Sequence, residues 1–334
     1  MGDMNTVSPF IKRWLELIAL MIAAMVVVGG ATRLTGSGLS ITEWNVIMGA
    51  IPPLNDVDWQ TAFSKYQQSS QFKLQNSAMT ISEFHSIFWW EWAHRFLGRM
   101  IGIVVAFPLG YFAVRKMLPT GFWPKVVVML LLGAAQGVLG WYMVASGLVD
   151  RVSVTQYRLA AHLTLAAFIF AYVLWLRFNL EDNLRPKFRL SALIVLLVLV
   201  QIAAGGFVAG LNAGAGYNTW PLMDGSLIPS GLGAMQPFWL NAFENALTVQ
   251  FDHRLLAYVI FALALFQAAY GRGLPQLLLF AAVCGQIGLG IMTLLMHVPL
   301  HAALTHQAGA LVVLAAAVWN LKAATIHINA ATSG

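Results

Sequence analysis

The chain has 334 residues, of which 59% are hydrophobic and 10% are charged, whereas soluble domains are about half apolar and about a quarter charged. This composition excludes a soluble globular protein and favours a polytopic membrane protein, because each helical crossing of a bilayer needs about 20 apolar residues. The formal net charge of +6 is interpreted as a topology signal and not as a nucleic-acid surface, because the basic residues lie mainly in the connections between apolar segments.

Eight apolar segments follow one another along the chain, and each is predicted to be a transmembrane helix. They cover approximately residues 14–35, 85–114, 123–147, 158–178, 189–211, 243–270, 274–296 and 299–321. Two connections between them are long and contain aromatic residues and prolines, residues 36–84 and 212–242. Loops of that kind are predicted to be functional, with ordered connectors as the alternative. The expected fold is an all-α polytopic membrane protein with eight transmembrane helices.

The distribution of lysine and arginine predicts the orientation. With eight spans both termini lie on one side of the membrane, and eleven basic residues are assigned to that side: Lys12, Arg13, Arg115, Lys116, Lys125, Arg177, Arg185, Lys187, Arg189, Arg272 and Lys322. The opposite side has five: Arg33, Lys65, Lys73, Arg151 and Arg158. The positive-inside rule therefore predicts a multi-pass protein of the cell inner membrane with both termini in the cytoplasm. The first segment is expected to be an uncleaved anchor.

An internal repeat divides the chain. Its matches are Gly29-Gly30 with Gly205-Gly206, His94-Arg95 with His253-Arg254, and residues 136–140 with residues 286–290. Because the repeat is four spans long, the two halves have the same orientation, and a two-fold axis along the membrane normal is expected. The predicted units are two pseudo-symmetric four-helix bundles, residues 1–180 and 181–334.

One histidine occurs in each even-numbered segment: His94, His162, His253 and His306. Ionisable residues within a span are costly and are functional candidates by default. Each half would hold two imidazoles at similar depth on different helices, which is the arrangement needed to grip a planar metal macrocycle from both faces. The alternative for each histidine is a hydrogen bond to a neighbouring helix.

The single cysteine, Cys284, excludes an intrachain disulfide, a Cys-only metal site and a C-x-x-C-H haem attachment.

The other histidines are given lesser roles. His297 and His301 could face one way as a copper or zinc site, although an interfacial position is favoured. His85 and His327 are expected to be solvated.

The halves differ three residues before their first histidine, where Glu91 in one corresponds to Gln250 in the other. A carboxyl group beside a metal centre can take or give a proton. The first half is therefore predicted to do chemistry, and the second to carry electrons or support structure. The alternative for Glu91 is an ion pair with Arg95.

Four arginines are candidate contacts for haem propionates: Arg33, Arg95, Arg158 and Arg254. A guanidinium group binds carboxylates in bidentate geometry. Topological anchoring is the alternative for Arg33 and Arg158.

The sequence resembles haem A synthase in four motifs. These are Gly29-Gly30-Ala31-Thr32-Arg33-Leu34-Thr35-Gly36-Ser37-Gly38-Leu39-Ser40, Glu91-Trp92-Ala93-His94-Arg95, Tyr217-Asn218-Thr219-Trp220-Pro221-Leu222-Met223-Asp224-Gly225 and Thr305-His306-Gln307-Ala308-Gly309-Ala310. The resemblance covers residues 14 to 321. Because residues 36–84 contain no cysteine, the chain is similar to the cysteine-free subgroup of the family, which proteobacteria and mitochondria share.

The resemblance implies an enzyme that oxidises the ring-D methyl group of haem O to the formyl group of haem A, for the terminal cytochrome oxidase. It implies that His253 and His306 ligate a haem b in the C-terminal half. It also implies that His94 and His162 hold the substrate haem O in the N-terminal half, with Glu91 as the essential acid. The expected partners are the lipid bilayer, an external electron donor and haem O synthase, with a homo-oligomer left open and no nucleic acid.

Two other functions compete with this interpretation. A di-haem b-type electron-transfer protein would use the same histidines without modifying its haems. A transporter or assembly partner would contain no haem.

Overall fold

The computed structural model describes residues 8–45, 48–150, 152–180 and 190–332. Within those ranges eight helices are long and apolar enough to cross a membrane. They are α1 (Pro9–Leu34), α4 (Ile81–Val114), α5 (Trp123–Asp150), α6 (Gln156–Phe178), α7 (Leu190–Gly210), α10 (Ala246–Gly271), α11 (Leu274–Leu295) and α12 (Leu300–Thr332). Four short helices complete the set: α2 (Asp56–Gln67), α3 (Ser70–Gln75), α8 (Ala213–Gly216) and α9 (Asn241–Glu244). The protein is an all-α multi-pass membrane protein, as predicted.

Local capping sets several boundaries that hydropathy alone leaves approximate. Helix α4 begins at a capping box, in which the main-chain nitrogen of Thr80 donates to Glu83 at 2.7 Å, so it starts four residues before the predicted segment. The side chains of Thr155 and Asn245 cap α6 and α10 by accepting from main-chain nitrogens of the first turn. Helix α12 continues to Thr332, well past the predicted end at residue 321.

The helix contacts fit the predicted pair of four-helix halves. Helix α1 packs against α4 and α6, and α7 packs correspondingly against α10 and α12. Helices α5 and α6 pair in the first half as α11 and α12 do in the second. Between the halves, α6 contacts α7 and α12, and α1 contacts α12. One correspondence fails: α10 packs against α11, whereas α4 and α5 barely touch.

Small residues allow the two halves to approach closely. A Cβ built on Gly206 of α7 would lie 2.8 Å from the Cα of Ala160 on α6. Across the same interface, Gln307 of α12 donates through Nε2 to the carbonyl oxygen of Val26 on α1, at 2.7 Å. In a membrane, close backbone contact and interhelical hydrogen bonds replace the hydrophobic effect as the forces that hold helices together.

Replacing Gly206 with alanine is therefore expected to lower stability by about 1–3 kcal/mol, because the added methyl group meets backbone that cannot rotate away. The measurement is thermal unfolding in detergent. Gly216→Ala is the matched control, since no heavy atom lies within 4 Å of a Cβ at that position. Equal melting temperatures for the two variants would contradict the contact.

The long connection 36–84 forms a folded cover over one end of the first half. Helix α2 packs on α4, and α3 reaches α5. A separate apolar cluster holds the cover together, formed by Phe63, Tyr66, Phe84, Ile87 and Phe88. The Tyr66 hydroxyl accepts from Asn76 at 2.7 Å and lies 3.1 Å from Gln71 Oε1, and burial raises the pKa of this hydroxyl. Gln71 in turn donates to the Gly36 carbonyl at 2.9 Å, which ties the cover to the end of α1.

Candidate functional site

The four candidate histidines lie in the N-terminal halves of α4, α6, α10 and α12, toward the side of the membrane that carries the two long connections. The structure brings them together in the predicted pairs. The His94 ring interacts electrostatically with His162, and the His253 ring with His306. Each half thus contains two neighbouring imidazoles from two different helices.

Each imidazole lies against a glycine of the preceding odd-numbered span. A Cβ on Gly29 would lie 3.1 Å from His94 Nε2, and one on Gly140 would lie 3.1 Å from His162 Cε1. In the second half, a Cβ on Gly205 would lie 3.3 Å from His253 Cε1, and one on Gly290 would lie 2.8 Å from His306 Cε1. The same glycine–imidazole contact occurs in all four places. Because these four glycines have no side chain, each imidazole ring can lie directly against the odd-numbered span.

These residues fit a haem in each half. The Nδ1 atoms of His162 and His306 are buried without a hydrogen-bond partner among the described residues. The hydrogen-bonding alternative is present at two of the rings, since Gln136 Nε2 lies 3.3 Å from His162 Nε2 and Gln201 Nε2 lies 3.2 Å from both ring nitrogens of His253. A buried imidazole nitrogen is a good iron ligand, and two per half match bis-histidine coordination. Described residues include no cluster of three or more His, Cys, Asp or Glu that could hold another metal.

Glu91 is buried beside the first pair, with 2% of its side chain exposed, and its carboxylate is fully engaged. Oε1 accepts from Arg95 at 2.5 Å, and Oε2 accepts from Ser40 Oγ and the Ile41 main-chain nitrogen, each at 2.7 Å. The ion pair that the sequence offered as an alternative is therefore present. The contacts to Ser40 and Ile41 were missed at the sequence level, since fifty residues separate the partners.

The corresponding position in the second half is neutral and unpaired. Gln250 is buried, with 4% of its surface exposed, and its Oε1 has no hydrogen-bond partner among the described residues. Asp252 is exposed and lies on another face of α10. The chemical difference between the halves that the sequence predicted is thus also a difference in local bonding.

The predicted propionate contacts Arg95 and Arg254 both hold the long connection of their own half. Arg95 donates to the carbonyl oxygens of Ile41 and Glu43, each at 2.6 Å. Arg254 donates to those of Tyr217, at 3.3 Å, and Thr219, at 2.8 Å. Arg254 keeps two buried nitrogens, Nε and Nη1, without partners in the described structure. Arg254 can therefore still bind a carboxylate, whereas Arg95 is already bonded to the carboxylate of Glu91.

The other two arginines of that prediction also retain buried donors. Arg33 reaches across to the second half, where it donates to the Ala209 carbonyl at 3.0 Å and to Asn212 Oδ1 at 3.1 Å, while its Nε is unpartnered among the described residues. The Arg158 guanidinium lies over the Tyr142 ring, 4.7 Å from its centroid, and its Nη1 is likewise unpartnered. Both fit a propionate contact as well as an anchor.

The remaining histidines lie apart from the two pairs. His85 differs from the expectation of a solvated ring, because it is half-buried against Trp59, with 4.0 Å between ring centroids. The folded cover, which the sequence did not reveal, is the reason. His297 and His301 are exposed, and His297 Nδ1 lies 2.5 Å from Asn218 Nδ2. His327 lies on the extended end of α12, and its side chain is outside the described structure, as are Arg151, Arg185, Lys187 and Arg189.

Comparison with known proteins decides the family. The sequence profile of the family described as "Cytochrome oxidase assembly protein" matches residues 12–318. The chain belongs to this family. Its similar relatives include "Heme A synthase" of Mesorhizobium japonicum, 54% identical over 324 residues that cover 92% of this chain and 89% of the relative. The "Heme A synthase" of Rhizobium etli is 50% identical over 327 residues, 93% and 89% of the two chains. That of Azorhizobium caulinodans is 50% identical over 320 residues, 92% of each chain. The resemblance predicted from the motifs is confirmed.

Proposed function

We propose that this membrane protein is a haem A synthase, which oxidises the ring-D methyl group of haem O to a formyl group and so supplies haem A to cytochrome c oxidase. The observation that carries this function is about 50% identity, over nine-tenths of the chain, to relatives named for that activity. The paired imidazoles against glycine in both halves are the arrangement that two haem-sized ligands require.

The N-terminal half, residues 1–180, is proposed to bind the substrate. His94 and His162 would hold haem O from its two faces, and the buried donors of Arg33 and Arg158 would bind its propionates. The neighbouring Glu91 is proposed to accept a proton at Oε1, the atom that now accepts from Arg95. Its second oxygen holds residues 40 and 41 over the site, so the same side chain also helps to exclude water.

The C-terminal half, residues 181–334, is proposed to hold haem b between His253 and His306. Such a haem supplies one-electron transfer. The protein around it contributes the two ligands and the unpartnered donors of Arg254, and it offers Gln250 in place of a carboxylate. This half therefore retains its haem and does not modify it. The electrons would come from an external donor, and the methyl group would be oxidised twice with dioxygen to a hydrated aldehyde that loses water.

The distribution of basic residues supports placing the protein in the inner membrane with both termini in the cytoplasm. Among the described residues, Arg115, Lys125, Arg177 and Arg272 all lie at the helix ends opposite the long connections. Haem O synthase, the expected source of the substrate, is a proposed partner, and a homo-oligomer is not required by the site.

Extracting the haems of the purified protein tests this function against a di-haem electron-transfer protein. We expect haem O or haem A together with haem b after expression alongside a source of haem O, because only an enzyme acting on haem O would contain the first two. Liquid chromatography with mass detection resolves the three. Haem b alone, with no haem A formed in the cells, would favour the electron carrier, and the absence of a Soret band would exclude both.

A further inference from the structure

Three glutamines stand in the same relation to three of the four histidines. Each lies one helical turn before the glycine that contacts the ring: Gln136 before Gly140, Gln201 before Gly205, and Gln286 before Gly290. Each donates through Nε2 to the main-chain carbonyl of the histidine, with distances of 3.2 Å to His162, 3.0 Å to His253 and 2.8 Å to His306. A Gln-x-x-x-Gly unit on an odd-numbered span therefore binds a histidine on the following even-numbered span.

Two of the three amide nitrogens also lie close to the imidazole ring. Gln136 Nε2 lies 3.3 Å from the His162 Nε2 atom, and Gln201 Nε2 lies 3.2 Å from both ring nitrogens of His253. The Oε1 atoms of Gln136, Gln201 and Gln286 are all buried without a partner in the described structure. A histidine bound to a metal almost always donates its second ring N–H to an acceptor, which fixes the ring orientation and strengthens the ligand. Each of the three side chains that bond a histidine main chain thus also carries an unpartnered acceptor.

The fourth position breaks the pattern. One turn before Gly29, the partner of His94, the chain has Met25 where the repeat places Gln201 in the second half. The Met25 methyl carbon packs near Gly98, 3.3 Å from where a Cβ would be. A thioether donates no hydrogen bond and accepts only weakly. Among the described residues, His94 is therefore the one of the four histidines whose main chain receives no glutamine amide bond.

We propose that Gln136, Gln201 and Gln286 are positioning residues that lock three of the haem ligands, and that Met25 leaves His94 as the ligand that releases, so that haem exchanges only in the N-terminal half. This inference rests on the proposed function, because it assigns the two halves to a substrate and a resident haem. It accounts for the asymmetry chemically: a bound product must leave one site, whereas a cofactor must stay in the other. Loss of a hydrogen-bond partner that orients a metal ligand typically weakens metal binding by about 10- to 100-fold.

The first test adds the missing amide. In the full-length protein, Met25→Gln is expected to slow the transfer of bound haem O or haem A to excess apomyoglobin by about tenfold, followed as the change in Soret absorbance. Met25→Leu, which keeps the volume without the amide, should exchange at the wild-type rate. Identical exchange in all three proteins would overturn the proposal, as would slower exchange in Met25→Leu as well.

The second test removes an amide from the C-terminal half. Gln286→Leu is expected to lose haem b to apomyoglobin about tenfold faster and to shift its low-spin electron paramagnetic resonance signal, because the bond that holds the His306 main chain is lost. The control is Gln267→Leu, which removes a half-buried amide of the same half that bonds Ser191 and Asn320 and no histidine. Equal haem loss and unshifted spectra in the two variants would refute the positioning role. Both tests read haem retention and spectra, so they can fail while haem A synthesis is still observed.

Discussion

Replacing Glu91 with glutamine is expected to abolish haem A formation, with haem O accumulating, while the protein still binds haem. An amide cannot accept the proton, and the loss of a general acid or base typically costs about 10²- to 10⁴-fold in rate. The four imidazoles and their glycines are untouched, so the Soret band should persist. Haem extraction from cells that express the variant gives the ratio of haem O to haem A, and normal haem A production would contradict the role of Glu91.

The structure adds a second effect that must be separated from the first. Glu91 is buried and pairs with Arg95, whose side chain is 10% exposed, and breaking a buried pair on one side costs about 3–5 kcal/mol because a charge is left uncompensated. The double variant Glu91→Gln, Arg95→Gln removes both charges and should recover much of the thermal stability. We expect it to remain inactive. Recovery of haem A formation in the double variant would mean that Glu91 serves only to neutralise Arg95.

Replacing Gly290 with valine is expected to remove haem from the C-terminal half. The first added carbon would lie 2.8 Å from His306 Cε1, so the imidazole must move away from the position in which it can bind iron. Overpacking of about 1–3 kcal/mol corresponds to a loss of binding of about 5- to 150-fold at 1.4 kcal/mol per factor of ten. The haem content of the purified protein, measured as the pyridine haemochrome of haem b, gives the result.

Gly288→Val provides the matched control on the same helix. No heavy atom lies within 4 Å of a Cβ at Gly288, and this residue is exposed. The control should keep its haem b and its spectrum. If the two valine variants retain equal amounts of haem b, the glycine–imidazole contact does not define the site.

Hydropathy predicted the eight spans because membrane helices satisfy their backbone hydrogen bonds internally, so the apolar length of a segment almost determines its structure. The cover formed by α2 and α3 was not predictable in this way. Its helices are short and mixed in composition, and they are held by contacts such as Gln71 with Gly36, which bring together residues 35 positions apart.

The candidate sites show the same division. Which residues are candidates for them could be predicted, because a histidine or a carboxylate in a span is costly enough to require a reason. The contacts that hold those residues in position could not be predicted. The sequence repeat matches Gly140 with Gly290 and Gln136 with Gln286, but it does not show what these residues contact. Only the packing of adjacent spans shows a glycine against each imidazole and a glutamine amide bonded to the main chain of three of the histidines.

The packing of α6 against α12 has a consequence for communication between the two halves. Each of these helices carries one histidine of its own pair, His162 and His306, near the same edge of the membrane. The axes of two packed helices lie about 8–10 Å apart. In the proposed arrangement of two haems, an electron that passes from one half to the other would cross this pair of packed helices, with no moving domain or diffusing carrier between the haem that is kept and the haem that is changed.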